Sequence, residues 1–464
     1  MWRVVAVVWA LVGTAVADPV ERATTTRVAG GSRVLLGMPK IVYLNRCRGN
    51  CEITAGEEDD ARQSISRIPF RPGVHQVTEF ALGDEVWTAF VGCMREVWSP
   101  YGLTFTESRP SPTEVYGEAV IAGTDREVDV FGAAGIAPID EFCRPLAYAI
   151  SYTFANQWLE YGLGDDTAVD LCSVASQEIA HTYGLDHSFQ FFEGDSSCSD
   201  PMTYRADCGG QKFFRNRLAT CGEYEERVCR CGPNQQSHSL LLGKLGAGTP
   251  ITTTDVSITS PSDGTTINNN ATVIAEGFSQ RGIVEIAFRL NGYPWTTLPG
   301  APFGPRGQLR SNYLYTLPAD VPDGVIDIEV EAIDDIGVSS VSEITVTKGA
   351  PCASEDSCAA GQFCDAGRCI WPEPIGNVGD ACTYAQFCVE PRCDTHGGES
   401  HCTRTCVAGL EGACEAGLAC VDDPAGAYCW PVAEGGCCST SRERPWGALV
   451  LGGFVAFLVG RRRR

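Results

Sequence analysis

One short stretch, SQEIAHTYGLDH starting at residue 176, carries side chains that bind metal ions and move protons. Gln177 and His181 are four positions apart, so on a helix their side chains lie on one face, with Glu178 beside them. Gly184 can adopt a positive φ, end the helix and turn the chain back. This spacing predicts that Gln177, His181 and His187 converge on one metal ion, with a carboxylate close by.

The stretch resembles the metzincin signature HExxHxxGxxH, the long zinc-binding motif of a metallopeptidase superfamily. Downstream, DPMTY at residues 200–204 resembles the Met-turn, which supports the metal from beneath. The resemblance extends over residues 40–248 and implies an α+β metzincin-like zincin domain. The matching positions, which include the tyrosine that reaches the metal in some metzincin branches, are Glu178, His181, Gly184, His187, Met202 and Tyr204.

The first ligand position departs from the signature, because Gln177 stands where the motif has histidine. An amide oxygen is a harder and weaker zinc ligand than imidazole. Three outcomes stay open. Gln177 binds through oxygen at a weakened zinc site, Tyr204 or water completes the shell around two histidines, or the site is empty and the domain is a binding relic. We expect zinc at a weakened site.

For an active site, the resemblance implies a role for each residue. The metal lowers the pKa of its bound water and polarises the scissile carbonyl. Glu178 takes the water's proton and passes it to the leaving amine. Tyr204 stabilises the developing oxyanion. A strand predicted over residues 147–154 pairs with an extended substrate by β-augmentation.

Hydrophobic periodicity predicts the elements that position these residues. Apolar residues recur at helical spacing over residues 84–98, which predicts one helix. The same spacing predicts a second helix that ends at Tyr183, and Asp165, Asp166 and Thr167 are expected to cap its start. A last helix is predicted over residues 234–245. Shorter apolar runs predict further strands over residues 41–44, 103–106 and 119–122.

The rest of the chain divides by composition. Residues 252–348 contain no cysteine, and their alternating segments predict an all-β sandwich of about seven strands. They resemble the bacterial Ig-like domains appended to secreted proteins. Residues 351–431 hold twelve cysteines, which predict small disulfide-rich modules of four and eight cysteines, with a zinc ribbon as the alternative. Cys198 is expected to pair with Cys208, and Cys229 and Cys231 are expected to be structural.

Both ends of the chain carry targeting patterns. Residues 1–17 are typical of a secretory signal peptide, followed by an N-terminal extension over residues 18–39. Residues 437–464 resemble the MYXO-CTERM sorting tail of myxobacterial surface proteins. They contain Cys437 and Cys438, a transmembrane helix predicted over residues 446–460, and four terminal arginines. The resemblance implies transient inner-membrane anchoring and processing by a sorting protease. A plain single-pass anchor is the alternative.

Composition limits the class of function. The 464 residues include 35 Lys and Arg against 58 Asp and Glu, a net charge of −23, which argues against nucleic-acid binding. The 24 cysteines indicate an oxidising compartment. Taken with these limits, the resemblance to metzincins implies a zinc-dependent metallopeptidase that hydrolyses extracellular protein or peptide, and the targeting patterns predict export to the cell surface, outer envelope or medium. The alternative is a catalytically degenerate metzincin-like surface protein that acts in adhesion or recognition.

Overall fold

The structure is a computed structural model. It describes residues 37–189, 200–205, 210–300, 309–318, 321–406, 414–421 and 427–432. The chain forms two compact units that divide after Ile370, so the segment 351–431 is split between them. The protein is multidomain and mostly β, with few helices. The predicted signal peptide, residues 18–36, Cys198, Cys208 and the whole predicted sorting tail with Cys437 and Cys438 lie outside the described residues. No helix in the described ranges is long and apolar enough to cross a membrane.

The first part of unit one is built on a five-stranded sheet in the order β5-β1-β6-β8-β7, in which only β7 is antiparallel to its neighbour. A smaller sheet has the order β3-β2-β4. The strands are β1 (Ile41–Asn45), β2 (Cys51–Ala55), β3 (Ile65–Ser66), β4 (Val74–Val77), β5 (Thr104–Thr106), β6 (Tyr116–Ile121), β7 (Gly135–Ile136) and β8 (Ile150–Thr153). The helices are α1 (Asp84–Trp98), α2 (Trp158–Tyr161), α3 (Thr167–Thr182) and α4 (Ser237–Leu245).

Helices α1 and α3 pack together because each carries an apolar stripe at helical spacing. Phe90 and Met94 of α1 and Ile179 of α3 are buried in one core. A disulfide between Cys93 and Cys172 joins the two helices. Helix α1 has the predicted bounds, and α3 ends one residue before the predicted end. This packing holds the predicted metal-binding residues of α3 against the sheet.

The second part of unit one is all β, as predicted, and its two sheets enclose one apolar core. Their orders are β10-β16-β15-β12-β13 and β14-β11-β9. Burial alternates strictly along β15, as the period of a strand with one buried face requires. The strands are β9 (Thr254–Ser260), β10 (Thr266–Ile267), β11 (Thr272–Ser279), β12 (Ile283–Leu290), β13 (Tyr293–Pro299), β14 (Ser311–Thr316), β15 (Gly324–Asp334) and β16 (Ser339–Lys348). We refer to this part as the sandwich.

The twelve cysteines after the sandwich form six disulfides with one repeated pattern. In each successive group of four, the first pairs with the third and the second with the fourth. The predicted disulfide modules are therefore confirmed, the predicted group of eight is two groups of four, and the zinc-ribbon alternative is wrong. The strands are β17 (Phe363–Asp365), β18 (Arg368–Ile370), β19 (Cys393–His396), β20 (Glu399–Cys402), β21 (Leu418–Val421) and β22 (Tyr428–Pro431).

Candidate metal centre

Two histidine side chains meet where α3 ends. His181 lies in the last turn of α3, and His187 follows a sharp reversal of the chain at Gly184, whose φ is +84°. The two Nε2 atoms are 2.9 Å apart, and the planes of the two rings are nearly perpendicular, at an angle of 88°. A Cβ at Gly184 would lie 2.6 Å from Cα of Cys143. The reversal therefore requires glycine both for its backbone conformation and for space.

The other nitrogen of each ring is held by an acceptor. His181 Nδ1 is 2.7 Å from the carbonyl oxygen of Leu185, and His187 Nδ1 is 2.7 Å from Glu223 Oε1. A carbonyl and an ionised carboxylate only accept hydrogen bonds, so each Nδ1 carries the hydrogen. A ring that is neutral and carries its hydrogen on Nδ1 presents a lone pair at Nε2. Burial, followed by the nearby His187, lowers the pKa of His181 to about 3, so its ring is neutral at physiological pH.

An ion-pair network fixes the second histidine. Arg227 donates to Asp186 Oδ2 at 2.6 Å and to Glu223 Oε1 at 2.5 Å, and the main-chain nitrogen of His187 donates to Asp186 Oδ1 at 2.9 Å. Burial alone would raise the pKa of Glu223, but hydrogen bonds from His187 and Arg227 outweigh it and hold that pKa well below its usual range. Asp186, His187 and Glu223 also lie close enough to hold an ion. Because Arg227 neutralises both carboxylates, we interpret this group as a support for His187.

Gln177 and Glu178 lie on α3, one turn before His181. Gln177 is 9% exposed, and its Nε2 has no hydrogen-bond partner in the described part of the chain. The oxygen and nitrogen of an amide are assigned from their partners, so the side chain is equally free to present its oxygen. Glu178 is 7% exposed, and burial raises its pKa to about 8. Its Cγ would lie 2.7 Å from a Cβ at Gly135, which places β7 directly beside it.

Met202 and Tyr204 occupy different positions relative to the histidines. Met202 is fully buried in the core shared by α1 and α3. Its carbonyl oxygen accepts a hydrogen bond from the main-chain nitrogen of Ser188 at 2.8 Å. The ring of Tyr204 lies 4.4 Å from that of His187, measured between centroids. The structure thus joins Met202 by a hydrogen bond to the residue that follows His187, and places Tyr204 beside the His187 ring.

The predicted pairing of residues 147–154 with a substrate strand needs correction. Strand β8 lies inside the sheet, with β6 on one side and β7 pairing Thr153 and Tyr152 on the other. These partners use the backbone groups that an added strand would need. In the described ranges, β7 pairs only with β8, so β7 is the edge at which a peptide can add.

The donor set fits a zinc ion. Two nitrogens bound to one tetrahedral zinc lie about 3.3 Å apart when each Zn–N bond is about 2.0–2.1 Å, so the observed 2.9 Å requires only a small shift. The side-chain amide of Gln177, whose Nε2 has no hydrogen-bond partner among the described residues, offers a further metal ligand on the same helix. Zinc at this position would be held by His181, His187 and Gln177. The cysteine clusters offer no thiolate, because all twelve are in disulfides.

Sequence reasoning did not identify Glu223 and Arg227. They lie 36 and 40 residues after His187 in a loop, and no motif spacing marks them. Cys229 and Cys231, predicted to be structural, pair with Cys221 and Cys143 and fix this loop. The remaining histidines each contact a main-chain oxygen or an aromatic residue, and they belong to no cluster of metal ligands among the described residues: His75, His238, His396 and His401.

Comparison with known proteins gives little. No family model and no curated protein matches the chain. The fibronectin(III)-like modules of CbhA from Clostridium thermocellum are 15% identical, with a match that covers 20% of this chain and 96% of that chain at a TM-score of 0.17. The endo-beta-1,4-mannanase from Thermotoga petrophila is 16% identical, covering 25% of this chain and 24% of that chain at a TM-score of 0.16. Likenesses this weak carry no argument about fold or function.

Proposed function

We propose that the protein is a zinc-dependent metallopeptidase of the metzincin type. The observation that carries the proposal is the approach of His181 Nε2 and His187 Nε2 to 2.9 Å while both Nδ1 atoms face acceptors. When both rings are neutral, their Nε2 lone pairs repel each other at this distance, and a metal ion bound to both nitrogens removes the repulsion. A metal-binding histidine almost always donates its other ring N–H to a carboxylate or a carbonyl oxygen, as both rings do here.

Each remaining residue has a role consistent with peptide hydrolysis. A bound zinc supplies Lewis acidity toward water and the peptide carbonyl. Glu178 is the general base and then the acid, because its buried carboxyl accepts and returns a proton near neutral pH. Tyr204 stabilises negative charge on the carbonyl oxygen. Gly184 and Met202 position the histidines.

The substrate we propose is an extended segment of extracellular protein. Among the described residues strand β7 pairs with another strand on one side only, and Gly135 of β7 lies against Glu178. A peptide that adds to this edge therefore runs beside the carboxylate that must act on it. The ten disulfides within the described ranges are consistent with action outside the cytoplasm. We further propose that the sandwich is Ig-like and that the tail directs sorting to the surface.

Zinc content and casein cleavage test this proposal. We expect stoichiometric zinc in the purified protein, casein cleavage that a chelator abolishes, and no cleavage by Glu178→Ala. The matched control is Glu160→Ala, which changes an exposed glutamate on α2 and should leave cleavage intact. A protein that binds no zinc at micromolar concentration would contradict the proposal. Zinc without cleavage would favour the degenerate surface protein, whose role is adhesion or recognition.

A further inference from the structure

Two arginines from separate parts of unit one share one buried carboxylate. Arg215 follows the turn at residues 200–204, which contains Met202 and which we call the Met202 turn. Arg281 lies between β11 and β12 of the sandwich. Their side chains are 1% and 0% exposed, and that of Asp335, which follows β15, is 7% exposed. Arg281 donates to both oxygens of Asp335, at 2.7 and 3.1 Å. Arg215 Nη1 lies 3.5 Å from Asp335 Oδ1.

Hydrogen bonds to the main chain cross the same boundary in both directions. Arg215 Nη1 donates to the carbonyl oxygen of Arg281 at 2.6 Å, and Arg281 Nη2 donates to that of Phe214 at 2.8 Å. The main-chain nitrogen of Asn216 donates to Asp335 Oδ2 at 3.2 Å. Buried charges are tolerated only where partners satisfy them. The boundary is therefore held by specific hydrogen bonds and ion pairs.

The same cluster continues to the candidate metal centre. The main-chain nitrogen of Arg215 donates to Asp200 Oδ2 at 2.9 Å, and Asp200 Oδ1 accepts from the main-chain nitrogen of Met202 at 2.9 Å. The carbonyl oxygen of Met202 then accepts from Ser188, the neighbour of His187, at 2.8 Å. An unbroken series of bonds thus runs from the sandwich to the residue beside a metal-binding histidine.

We infer that the sandwich is a built-in support of the metal centre, and that Arg281 is a positioning residue that acts through Arg215 on the Met202 turn. Its effect on zinc rests on the proposed function, whereas its effect on the turn does not. A module used only for tethering or adhesion needs no buried ion cluster at its boundary. The sandwich instead supplies the counter-charge that Arg215 requires.

Two variants remove the link, and a third serves as a control. Arg281→Met removes a charge while keeping an apolar stem of similar length, and Asp335→Asn removes the shared charge with little change of shape. The control is Arg289→Met. Arg289 pairs with Glu329 and Glu331 at 2.6 and 2.8 Å within the same sandwich, and its side chain is 27% exposed.

Hydrogen exchange followed by mass spectrometry on the metal-free full chain tests the link directly. In Arg281→Met and Asp335→Asn we expect the amides of Ser188 and Met202 to exchange about 2- to 30-fold faster, while exchange in α1 stays unchanged. Arg289→Met should exchange as the wild type does. Unchanged exchange at Ser188 and Met202 in both variants would overturn the inference, and so would equal acceleration in α1, which indicates general loss of stability.

Zinc titration of the same proteins tests the consequence at the metal. If the wild type binds zinc, both variants should bind about 2- to 30-fold more weakly, with Arg289→Met unchanged. Wild-type affinity in both variants would refute the support of the metal centre. If the wild type binds no zinc, the proposed function fails, and the exchange result alone decides whether the sandwich holds the turn.

Discussion

His187 is held in place by Glu223, a residue 36 positions further along the chain, whose Oε1 lies 2.7 Å from the ring's Nδ1. This contact holds Nδ1 and fixes the direction of the ring, so that Nε2 faces His181. Arg227 in turn holds the carboxylate, with Nε 3.2 Å from Glu223 Oε2. Partners of this kind raise the basicity of a metal-binding imidazole and reduce its freedom to rotate.

Glu223→Gln should therefore weaken zinc binding without unfolding the protein. The amide keeps the shape and can still accept from His187 Nδ1, but it loses the charge that favours the metal-bound ring. We expect zinc affinity to fall about tenfold, measured by competition with a chromophoric chelator. Glu226→Gln is the control, since Glu226 is exposed in the same loop. Equal losses in both variants would show that the loop's net charge matters rather than the contact.

His187 makes one contact that the sequence predicts, with His181, and one that it does not predict, with Glu223. The helical period of α3 and the glycine at position 184 predict the meeting of His181 and His187, because these residues are close in the chain and local geometry decides their placement. Glu223 arrives by tertiary folding of a loop closed by disulfides at Cys221 and Cys231. No sequence periodicity encodes such a contact, so only the three-dimensional structure reveals it.

Gln177→His should strengthen the metal site. Imidazole is a better zinc ligand than an amide oxygen, and position 177 lies one helical turn before His181 on the same helix. We expect zinc affinity to rise at least about tenfold, given the preference of zinc for nitrogen over neutral oxygen ligands, by the same competition assay. Gln76→His, at an exposed site on β4, should not change it. Equal or weaker binding by Gln177→His would mean that residue 177 does not face the metal.

Glu178→Gln should stabilise the metal-free protein at alkaline pH. Burial raises the pKa of Glu178 from 4.5 to about 8 in the folded chain. Between these values the unfolded chain releases a proton that the folded chain retains, so stability falls as pH rises through this window. Glu178→Gln has no ionisable group at this position, so its stability does not fall with pH for this reason. We expect its advantage in unfolding free energy to grow from near zero at about pH 4 to at most about 4 kcal/mol at about pH 8.

Chemical denaturation at several pH values, with chelator present, measures this difference. Glu160→Gln should follow the wild type at every pH because Glu160 is exposed. An advantage of Glu178→Gln that stays constant with pH would indicate a packing effect instead of an ionisation effect.

The sequence predicts the bounds of α1, but it does not predict the cap of α3 or the pairing of the cysteines. The bounds of α1 follow from its apolar spacing and from the Pro100 and Gly102 that come after it. The expected cap of α3 is wrong in detail: Asp166 occupies the N-cap position but makes no side-chain cap hydrogen bond, and Thr167 Oγ1 accepts from Gly164 instead. Spacing alone could not choose among disulfide connectivities, because loop closure depends on the path of the chain.

Gly184→Ala should cost more stability than the same change at a matched glycine. Gly184 and Gly162 both have a positive φ, +84° and +88°, so alanine is strained at both positions, by about 1–2 kcal/mol where the backbone is left-handed. Only at Gly184 would the added Cβ meet the backbone of Cys143, whereas nothing lies within 4 Å at Gly162. We expect a total loss of about 2–5 kcal/mol in unfolding free energy for Gly184→Ala, because overpacking adds about 1–3 kcal/mol.

The difference between the two variants isolates the close approach of the reversal to Cys143. Relief of that overlap must move the chain between His181 and His187, so Gly184→Ala should also bind zinc more weakly, while Gly162→Ala should bind as the wild type does. Urea denaturation and zinc competition on both variants measure these effects. Equal destabilisation of the two would mean that the backbone conformation alone, and not the contact with Cys143, makes glycine necessary at position 184.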